Sequence, residues 1–378
     1  MVCGSYAGGA TGLGADSKNG ARRGQVDGID VIEFALPYSN KMGFVTRTWI
    51  FVKFVVRSLK LLFAERYDVC FATSTPLTVG IIAIFARLFT SKRVVFEVRD
   101  LWPELPREMG VIRNPVVLGA MSALEWASYR ASDRLIALSP GIVDGIVKRG
   151  IRRDRIAMIP NGCDVDIFDQ PSAPWRPETV PADSLMAVFA GTHGTANGLD
   201  AVLAAGRELA KRRRNDIHLV LVGEGREKPR LRALAAEQGL ASIHFLDPVP
   251  KEKLVGLLKS ANLGLQLLAN VPAFYFGTSP NKFFDYLAAG LPVLTNYPGW
   301  IAQLVSEHEC GFAVHPDDPQ AFVDGLIDAE ENRERLAVMG RRARALAEER
   351  FDRTMLADRW VDWVTEPNLA GPVVRAER

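Results

Sequence analysis

Leu185-Met-Ala-Val-Phe-Ala-Gly191-Thr-His-Gly194-Thr-Ala-Asn-Gly198-Leu-Asp200 is the stretch whose reading decides the fold. Six apolar residues make a short buried strand, a glycine-rich turn follows, and a helical pattern opens beyond it. A strand that feeds a helix through such a turn is the repeating unit of parallel α/β folds. The rhythm continues downstream, with strands predicted over residues 217–222, 243–246, 263–267, 292–295 and 311–314 and helices between them. Upstream, residues 68–73, 93–97, 134–138 and 156–160 read as strands. Helices are predicted after Ser74-Thr-Pro76 to about Phe89, over 118–130, and from Ser139-Pro-Gly141 onward. The last helices run from about Pro319 to Trp363, and the tail after Pro367 frays.

Residues 169–181, Asp-Gln-Pro-Ser-Ala-Pro-Trp-Arg-Pro-Glu-Thr-Val-Pro, are dense in proline and lack helical periodicity, so they read as a linker. On this reading 1–168 is one lobe, 182–350 a second, and 351–378 a terminal helix, crossing back to the first lobe, and tail. The expected fold is α/β, two Rossmann-like lobes facing a cleft, with ligand beyond the carboxyl ends of the strands. A chain of 378 residues with 48% hydrophobic content has enough apolar material for two cores. A net charge of +2 gives no case for nucleic acid as a partner. Cys3, Cys70, Cys163 and Cys310 lie far apart and form no CxxC pair, so neither a disulfide framework nor zinc is expected. The opening residues have no apolar core of a signal peptide. The longest apolar run, 77–89, falls short of the roughly 18–20 residues that cross a bilayer.

The chemistry-bearing residues cluster at predicted strand ends. Gly191, Gly194 and Gly198 let a ligand approach the backbone, and the helix beyond offers free amides to an anion such as a diphosphate. A flexible connecting loop reads the same way. His193 could hydrogen-bond a phosphate or cap the turn. In Gly277-Thr-Ser-Pro-Asn-Lys282-Phe-Phe-Asp285, Ser279 is expected to cap a helix, Pro280 to take its first position and Gly290 to stop it. Lys282 and Asp285 share one face of that helix, which suits a phosphate and a sugar hydroxyl; a surface ion pair is the plain alternative. Phe96-Glu97-Val-Arg99-Asp100-Leu-Trp-Pro-Glu104 sits at another strand end. There Arg99 could serve phosphate or acceptor, Asp100 or Glu104 a sugar hydroxyl, or all three an internal ion cluster. Pro160-Asn-Gly-Cys-Asp164 reads as a structural turn. Residues 41–66 form a basic amphipathic helix, able to lie on anionic lipid or to pack on its own lobe.

Taken together these phrases resemble the family 4 retaining glycosyltransferases of GT-B type, in the bacterial branch that assembles O-antigen, colanic acid and capsule. The resemblance rests on Ala72-Thr-Ser-Thr-Pro-Leu-Thr78, the stretch 96–106, Ala137-Leu-Ser-Pro-Gly141, Ile159-Pro-Asn-Gly-Cys-Asp164, Gly191-Thr-His-Gly194, Leu221-Val-Gly-Glu-Gly225 and the stretch 279–292. It implies a nucleoside-diphosphate sugar, UDP-linked or similar, as co-substrate held mainly by the second lobe. No metal-binding cluster is legible in the sequence and a site built from loop amides needs none, so neither cofactor nor metal is expected. It places the acceptor, a polyprenyl-linked saccharide, on the first lobe, in an enzyme at the inner face of the cytoplasmic membrane. Arg99, Asp100 and Lys282 become the candidates for catalysis. Gly191, Thr192, His193, Gly194, Asn197, Gly223, Gly225, Asp247, Pro248, Ser279, Asn281, Lys282 and Asp285 become the candidates for the nucleotide sugar, with Asp285 where the family places a ribose-binding glutamate.

The sequence departs from that pattern at several points. Gly277 stands in place of the first acid of the EX7E pair, Thr192 and Asn197 in place of the loop's arginine and lysine, and Arg99 in place of a histidine before the aspartate. Family members also open with a further strand, glycine loop and helix, so the first lobe is expected to lack that unit. Rival readings are a non-hydrolysing UDP-sugar 2-epimerase and an inactive nucleotide-sugar-binding protein. A Rossmann dehydrogenase fits less well, because Gly191 to Gly198 does not spell GxGxxG.

Overall fold

The computed structural model describes residues 1–6, 11–14, 20–39 and 42–365. Lys41 and the tail beyond Pro367, both interpreted above, lie outside the described residues. The chain forms two compact units. The first comprises Met1–Pro103, Arg113–Ile136 and Ile146–Ile156, and the second Glu104–Ile112, Ala137–Gly145 and Ala157–Arg378.

The first unit opens with β1 (Val2–Tyr6), β2 (Ala21–Val26) and β3 (Ile29–Tyr38), in the order β1-β3-β2. β2 and β3 are antiparallel, and the hairpin turn is Asp27-Gly28 with φ of 49° and 81°. Positive φ at both central residues gives the turn whose twist matches the strands, and Asp-Gly is a favoured pair for it. A second sheet holds β4 (Val69–Thr73), β5 (Arg93–Val98), β6 (Arg134–Ala137) and β7 (Ile156–Met158), in that order. Val94, Val95 and Phe96 of β5 are fully buried, as a strand covered on both faces requires. The helix predicted from Leu118 begins at Pro115, because Asn114 caps it by accepting from the amides of Val116 and Val117.

The second unit is built on β8 (Leu185–Ala190), β9 (Ile217–Val222), β10 (Ile243–Leu246), β11 (Leu263–Gln266), β12 (Val293–Thr295) and β13 (Gly311–Ala313). Their order is β10-β9-β8-β11-β12-β13, and all pairs are parallel. The apolar run that opened the sequence reading is β8, buried throughout its first five residues. The register matters most for function. Ala190 lies opposite Val222, and Val222 opposite Leu246, so three strands end level at one edge.

The proline-dense stretch 169–181 packs as a strap on the second unit. Trp175 N donates to Gly256 O at 2.9 Å, and Lys253 Nζ sits 4.0 Å over the Trp175 ring. The Arg176 guanidinium donates to the carbonyls of Val180, Pro181, Ser184 and Ser260. Prolines leave carbonyls without helical or sheet partners, and one arginine gathers them. The last helix, Arg353–Thr365, is grouped with this unit as well. Among the described residues no helix is long and apolar enough to cross a membrane.

Candidate functional site

Because β8, β9 and β10 end in register, the loops that begin at Gly191, Gly223 and Asp247 start side by side. Gly191 N donates to Val222 O at 2.9 Å and Gly223 N to Leu246 O at 3.2 Å. Glycine is required at Gly223: its φ is +144°, and a Cβ there would sit 1.9 Å from Gly191 O. Gly225 is also packed on the loop, its Cβ position 2.4 Å from His193 O. The His193 imidazole is fully buried between the rings of Phe189 and Phe245, and neither ring nitrogen has a hydrogen-bond partner among the described residues. Burial first, then the nearby Lys228 ammonium, pushes its pKa down to about 4, so the ring is neutral. The His193 backbone is engaged as well: its N donates to Glu224 O and its O accepts from Glu227 N, both at 2.9 Å, so the residue ties this loop to the next one.

Lys282 projects from helix Asn281–Ala288 into the Gly191–Gly198 loop. Its Nζ donates to Asn197 Oδ1 at 2.9 Å and lies 4.0 Å over the Phe189 ring. A Cβ on Gly191 would meet Lys282 Cε at 2.9 Å, so that glycine makes room for the lysine. Asn197 also donates to Thr192 O at 2.7 Å, which closes the loop on itself. No carboxylate pairs with Lys282 among the described residues, and burial pushes its pKa down to about 7. The Asp285 carboxylate, on the same helix, takes no hydrogen bond from the described residues. Burial raises its pKa to about 6, against the opposing pull of Lys251 and Arg353. A half-buried ammonium without a carboxylate partner and a half-buried carboxylate without a hydrogen bond, one turn apart on one helix, make this a candidate ligand site.

The helix start differs from expectation. Pro280 is the capping residue and makes no side-chain cap, while Gly290 stops the helix at φ +66° as predicted. The Ser279 hydroxyl instead accepts from Asn161 N at 3.0 Å, and Asn161 Nδ2 donates to Ser279 O at 2.5 Å. The turn at Asn161-Gly162 is thereby tied to the site, and Cys163 is anchored by backbone bonds to Phe351 and Arg353. Asn281 is exposed at the helix start, and Asp247 and Pro248 are exposed at the third loop. Asp247 Oδ1 accepts from Lys228 Nζ at 2.7 Å.

Two features escaped the sequence reading. Lys228 is buried, and its Nζ also donates to Gly223 O and Leu246 O, both at 2.9 Å, so it ties together the ends of β9 and β10. Asp164 pairs with Lys251 at 3.0 Å and with Arg353, and this ion cluster faces Asp285.

In the first unit, Arg99 and Asp100 lie at the carboxyl end of β5. Arg99 Nη1 pairs with Glu97 Oε1 at 3.1 Å, and Asp100 Oδ2 accepts from Thr75 Oγ1 at 3.1 Å. Burial raises the Asp100 pKa, opposed by the Thr75 hydrogen bond and the Arg99 charge. Glu104 opens helix Glu104–Glu108 and is grouped with the second unit, whereas Arg99 and Asp100 are grouped with the first.

Residues 6–162 match the model of the glycosyl transferase 4-like domain, and residues 175–346 that of glycosyl transferases group 1. The chain carries the two domains of a GT-B glycosyltransferase. The Lys282 site lies in the group 1 domain, and Arg99 and Asp100 lie in the 4-like domain.

D-inositol 3-phosphate glycosyltransferase of Streptomyces avermitilis is 30% identical over 236 residues, 58% of this chain and 48% of that protein. D-rhamnosyltransferase WbpZ of Pseudomonas aeruginosa is 28% identical over 240 residues, 62% of this chain and 60% of that protein. The chain therefore spans from about half to three fifths of the length of these relatives. Among solved structures, Anabaena HepE in complex with UDP superposes with a TM-score of 0.65 at 17% identity, covering 88% of this chain and 85% of that one. That likeness establishes the fold.

Proposed function

We propose that the chain is a retaining glycosyltransferase of surface-polysaccharide assembly. Its donor is a UDP-linked sugar, and its acceptor a polyprenyl-diphosphate-linked saccharide at the inner face of the cytoplasmic membrane. The observation that carries this reading is the seating of Lys282 in the Gly191–Gly198 loop, with Asp285 on the same helix. As the bond from the anomeric carbon to the diphosphate breaks, negative charge grows on the departing oxygen. Fixed loop amides and an ammonium with no carboxylate of its own are suited to that charge and need little rearrangement to meet it. Asp285 is assigned to the ribose hydroxyls, and the loops at Gly223, Gly225, Asp247 and Pro248 to the base. Arg99 and Asp100 are assigned to the acceptor. The assignment uses neither a protein nucleophile nor a metal ion. The relatives support it by name, one transferring D-rhamnose and one acting on an inositol phosphate, as does a structural neighbour that holds UDP.

The membrane part of the proposal rests on helix Phe44–Ala64. It buries Val55 and Leu62, yet a second apolar stripe stays exposed at Val45, Trp49, Val52, Val56 and Phe63. With 3.6 residues per turn these five fall on one line. Lys53 and Lys60 flank them and are exposed. Leu88 and Phe89, at the end of helix Gly80–Phe89, are exposed too. An exposed apolar line edged by lysines suits an anionic bilayer surface.

The test is incubation of the purified chain with UDP-sugars and polyprenyl-diphosphate-linked saccharides. Acceptor-dependent UDP release is expected, with a product whose anomeric coupling by NMR matches the donor. Tight UDP binding without such release would leave a nucleotide-sugar-binding protein. A donor epimerised without acceptor would make the chain an isomerase.

A further inference from the structure

Three consecutive residues leave the carboxyl end of β4, and each hydroxyl engages one residue at the end of β5. Thr73 Oγ1 donates to Glu97 Oε1 at 2.9 Å. Ser74 Oγ accepts from the Arg99 amide at 2.9 Å. Thr75 Oγ1 donates to Asp100 Oδ2 at 3.1 Å. Thr73 and Glu97 are the last paired residues of the two strands, and Ser74 N still donates to Glu97 O at 2.8 Å. The hydroxyls therefore continue the ladder past its end and fix the level of Glu97, Arg99 and Asp100.

Thr75 differs from its two neighbours in its backbone. Its φ is +91°, a region that β-branched residues rarely occupy. Ser74 is buried at 1% exposure, whereas Thr75 is exposed. An exposed threonine gains nothing from packing that would repay this conformation, and a glycine would hold the turn without strain. What glycine lacks is the hydroxyl on Asp100. Strain kept for one polar contact at a strand's carboxyl end is a mark of a working site. Asp100 takes no other hydrogen bond from the described residues, so Oδ1 is left open.

We propose that Thr75 is a positioning residue for the acceptor. By holding one carboxylate oxygen of Asp100, it aims the other at a hydroxyl of the acceptor sugar. The proposal rests on the transferase reading and adds to it a residue outside the assigned acceptor contacts. The charged groups around Asp100 are Arg99, whose charge favours the ionised form, and Glu97, which is held by Arg99 and Thr73.

The test uses full-length Thr75→Val, Thr75→Ser and Thr75→Gly. Loss of a hydrogen bond to a carboxylate corresponds to roughly a tenfold effect or more. Thr75→Val is expected to lower kcat/KM for the acceptor by that factor, with UDP affinity unchanged, and Thr75→Ser to restore it. Thr75→Gly is expected to melt at a higher temperature than the wild type while transferring as poorly as Thr75→Val. The readout independent of turnover is the titration of Asp100 by carboxyl carbon NMR, with Asp100→Asn to assign the signal. Its midpoint is expected to move upward in Thr75→Val and Thr75→Gly and to stay in place in Thr75→Ser. Wild-type acceptor kinetics in Thr75→Val, or an Asp100 midpoint that does not move, would overturn the proposal. If the wild type transfers to no acceptor, the transferase reading falls, and the titration still decides the Thr75–Asp100 coupling.

Discussion

Lys282 Nζ meets Asn197 Oδ1 at 2.9 Å across 85 residues of sequence, and Gly191, which has no Cβ, leaves space beside the lysine stem. The pair joins the two constellations on which a donor site depends. A glycine loop alone offers amides, and a helix lysine alone is a surface charge. Brought together at the edge where β8 and β9 end, they form the site proposed for the donor's diphosphate.

The first prediction concerns that lysine directly. Charge-assisted hydrogen bonds contribute about 1.5–3 kcal/mol, so Lys282→Ala is expected to weaken UDP binding by roughly 10- to 150-fold. Isothermal titration calorimetry measures it. Lys282→Met keeps most of the stem over Phe189 and separates charge from packing: the methionine variant is expected to bind UDP as weakly as the alanine. If it binds like the wild type, the ammonium is not a phosphate ligand.

A second prediction follows from the same burial. The free enzyme holds Lys282 at a pKa of about 7, well below an exposed lysine, because the ammonium is desolvated. A bound diphosphate favours the charged form and raises that value again. At pH 8 the free lysine is mostly neutral, so UDP binding is expected to take up close to one proton. By linkage, affinity then falls as pH rises above 7, by up to about tenfold per pH unit. Calorimetry in two buffers of different ionisation enthalpy reads the uptake, which is expected to vanish in Lys282→Ala. Uptake that persists in the variant would assign the proton elsewhere.

These predictions depend on parts of the molecule that were unevenly legible. The strands of the second unit could be read almost residue by residue, because parallel strands covered on both faces leave short, unbroken apolar runs. The loop at Gly191 and the helix at Asn281 were legible for the same reason: each sits where such a run stops. The hairpin of β2 and β3 was passed over although Asp27-Gly28 signals it, since β2 is polar and half exposed and Asp30 and Glu33 interrupt the apolar residues of β3. Lys228 was hidden in Arg226-Glu-Lys-Pro-Arg-Leu-Arg232, which reads as solvated charge. Only the meeting of the β9 and β10 ends buries that one lysine. The Ser279 hydroxyl has a local cap within reach, and its actual partner, Asn161, lies 118 residues away. No local pattern encodes that choice.

Helix Phe44–Ala64 gives the third prediction. Burying Trp49 and Phe63 in the outer part of a bilayer is expected to stabilise attachment by about 1.5–3 kcal/mol for each side chain fully buried. The double variant Trp49→Ser/Phe63→Ser is expected to lose at least tenfold in binding to vesicles containing phosphatidylglycerol, measured by co-sedimentation. Both side chains are exposed, so its melting temperature is expected to stay within a few degrees of the wild type. The wild type is expected to bind neutral phosphatidylcholine vesicles more weakly, and salt to weaken its binding to the anionic ones through Lys53 and Lys60. Equal binding of wild type and variant to anionic vesicles would remove this helix from the attachment.

Asp285 supplies the fourth. Its carboxyl titrates at about 6 in the fold against 3.8 for a solvated aspartate, chiefly because it is buried, with Lys251 and Arg353 offsetting part of the effect. A carboxyl raised on folding favours the fold fully only below its unfolded pKa. That contribution is lost as pH rises through the folded value. Above pH 6 the ionised group therefore works against the fold, by on the order of 1–3 kcal/mol after allowance for partial exposure. Asp285→Asn is expected to unfold at higher temperature than the wild type at pH 7.5, with the difference shrinking toward zero below pH 4. The same variant is expected to bind UDP at least several-fold more weakly, since an amide replaces the carboxylate assigned to the ribose hydroxyls. A residue that destabilises the free protein and strengthens ligand binding is retained for the ligand. If Asp285→Asn stabilises the fold and leaves UDP affinity unchanged, the ribose assignment fails, and the carboxylate is only a burial defect in helix Asn281–Ala288.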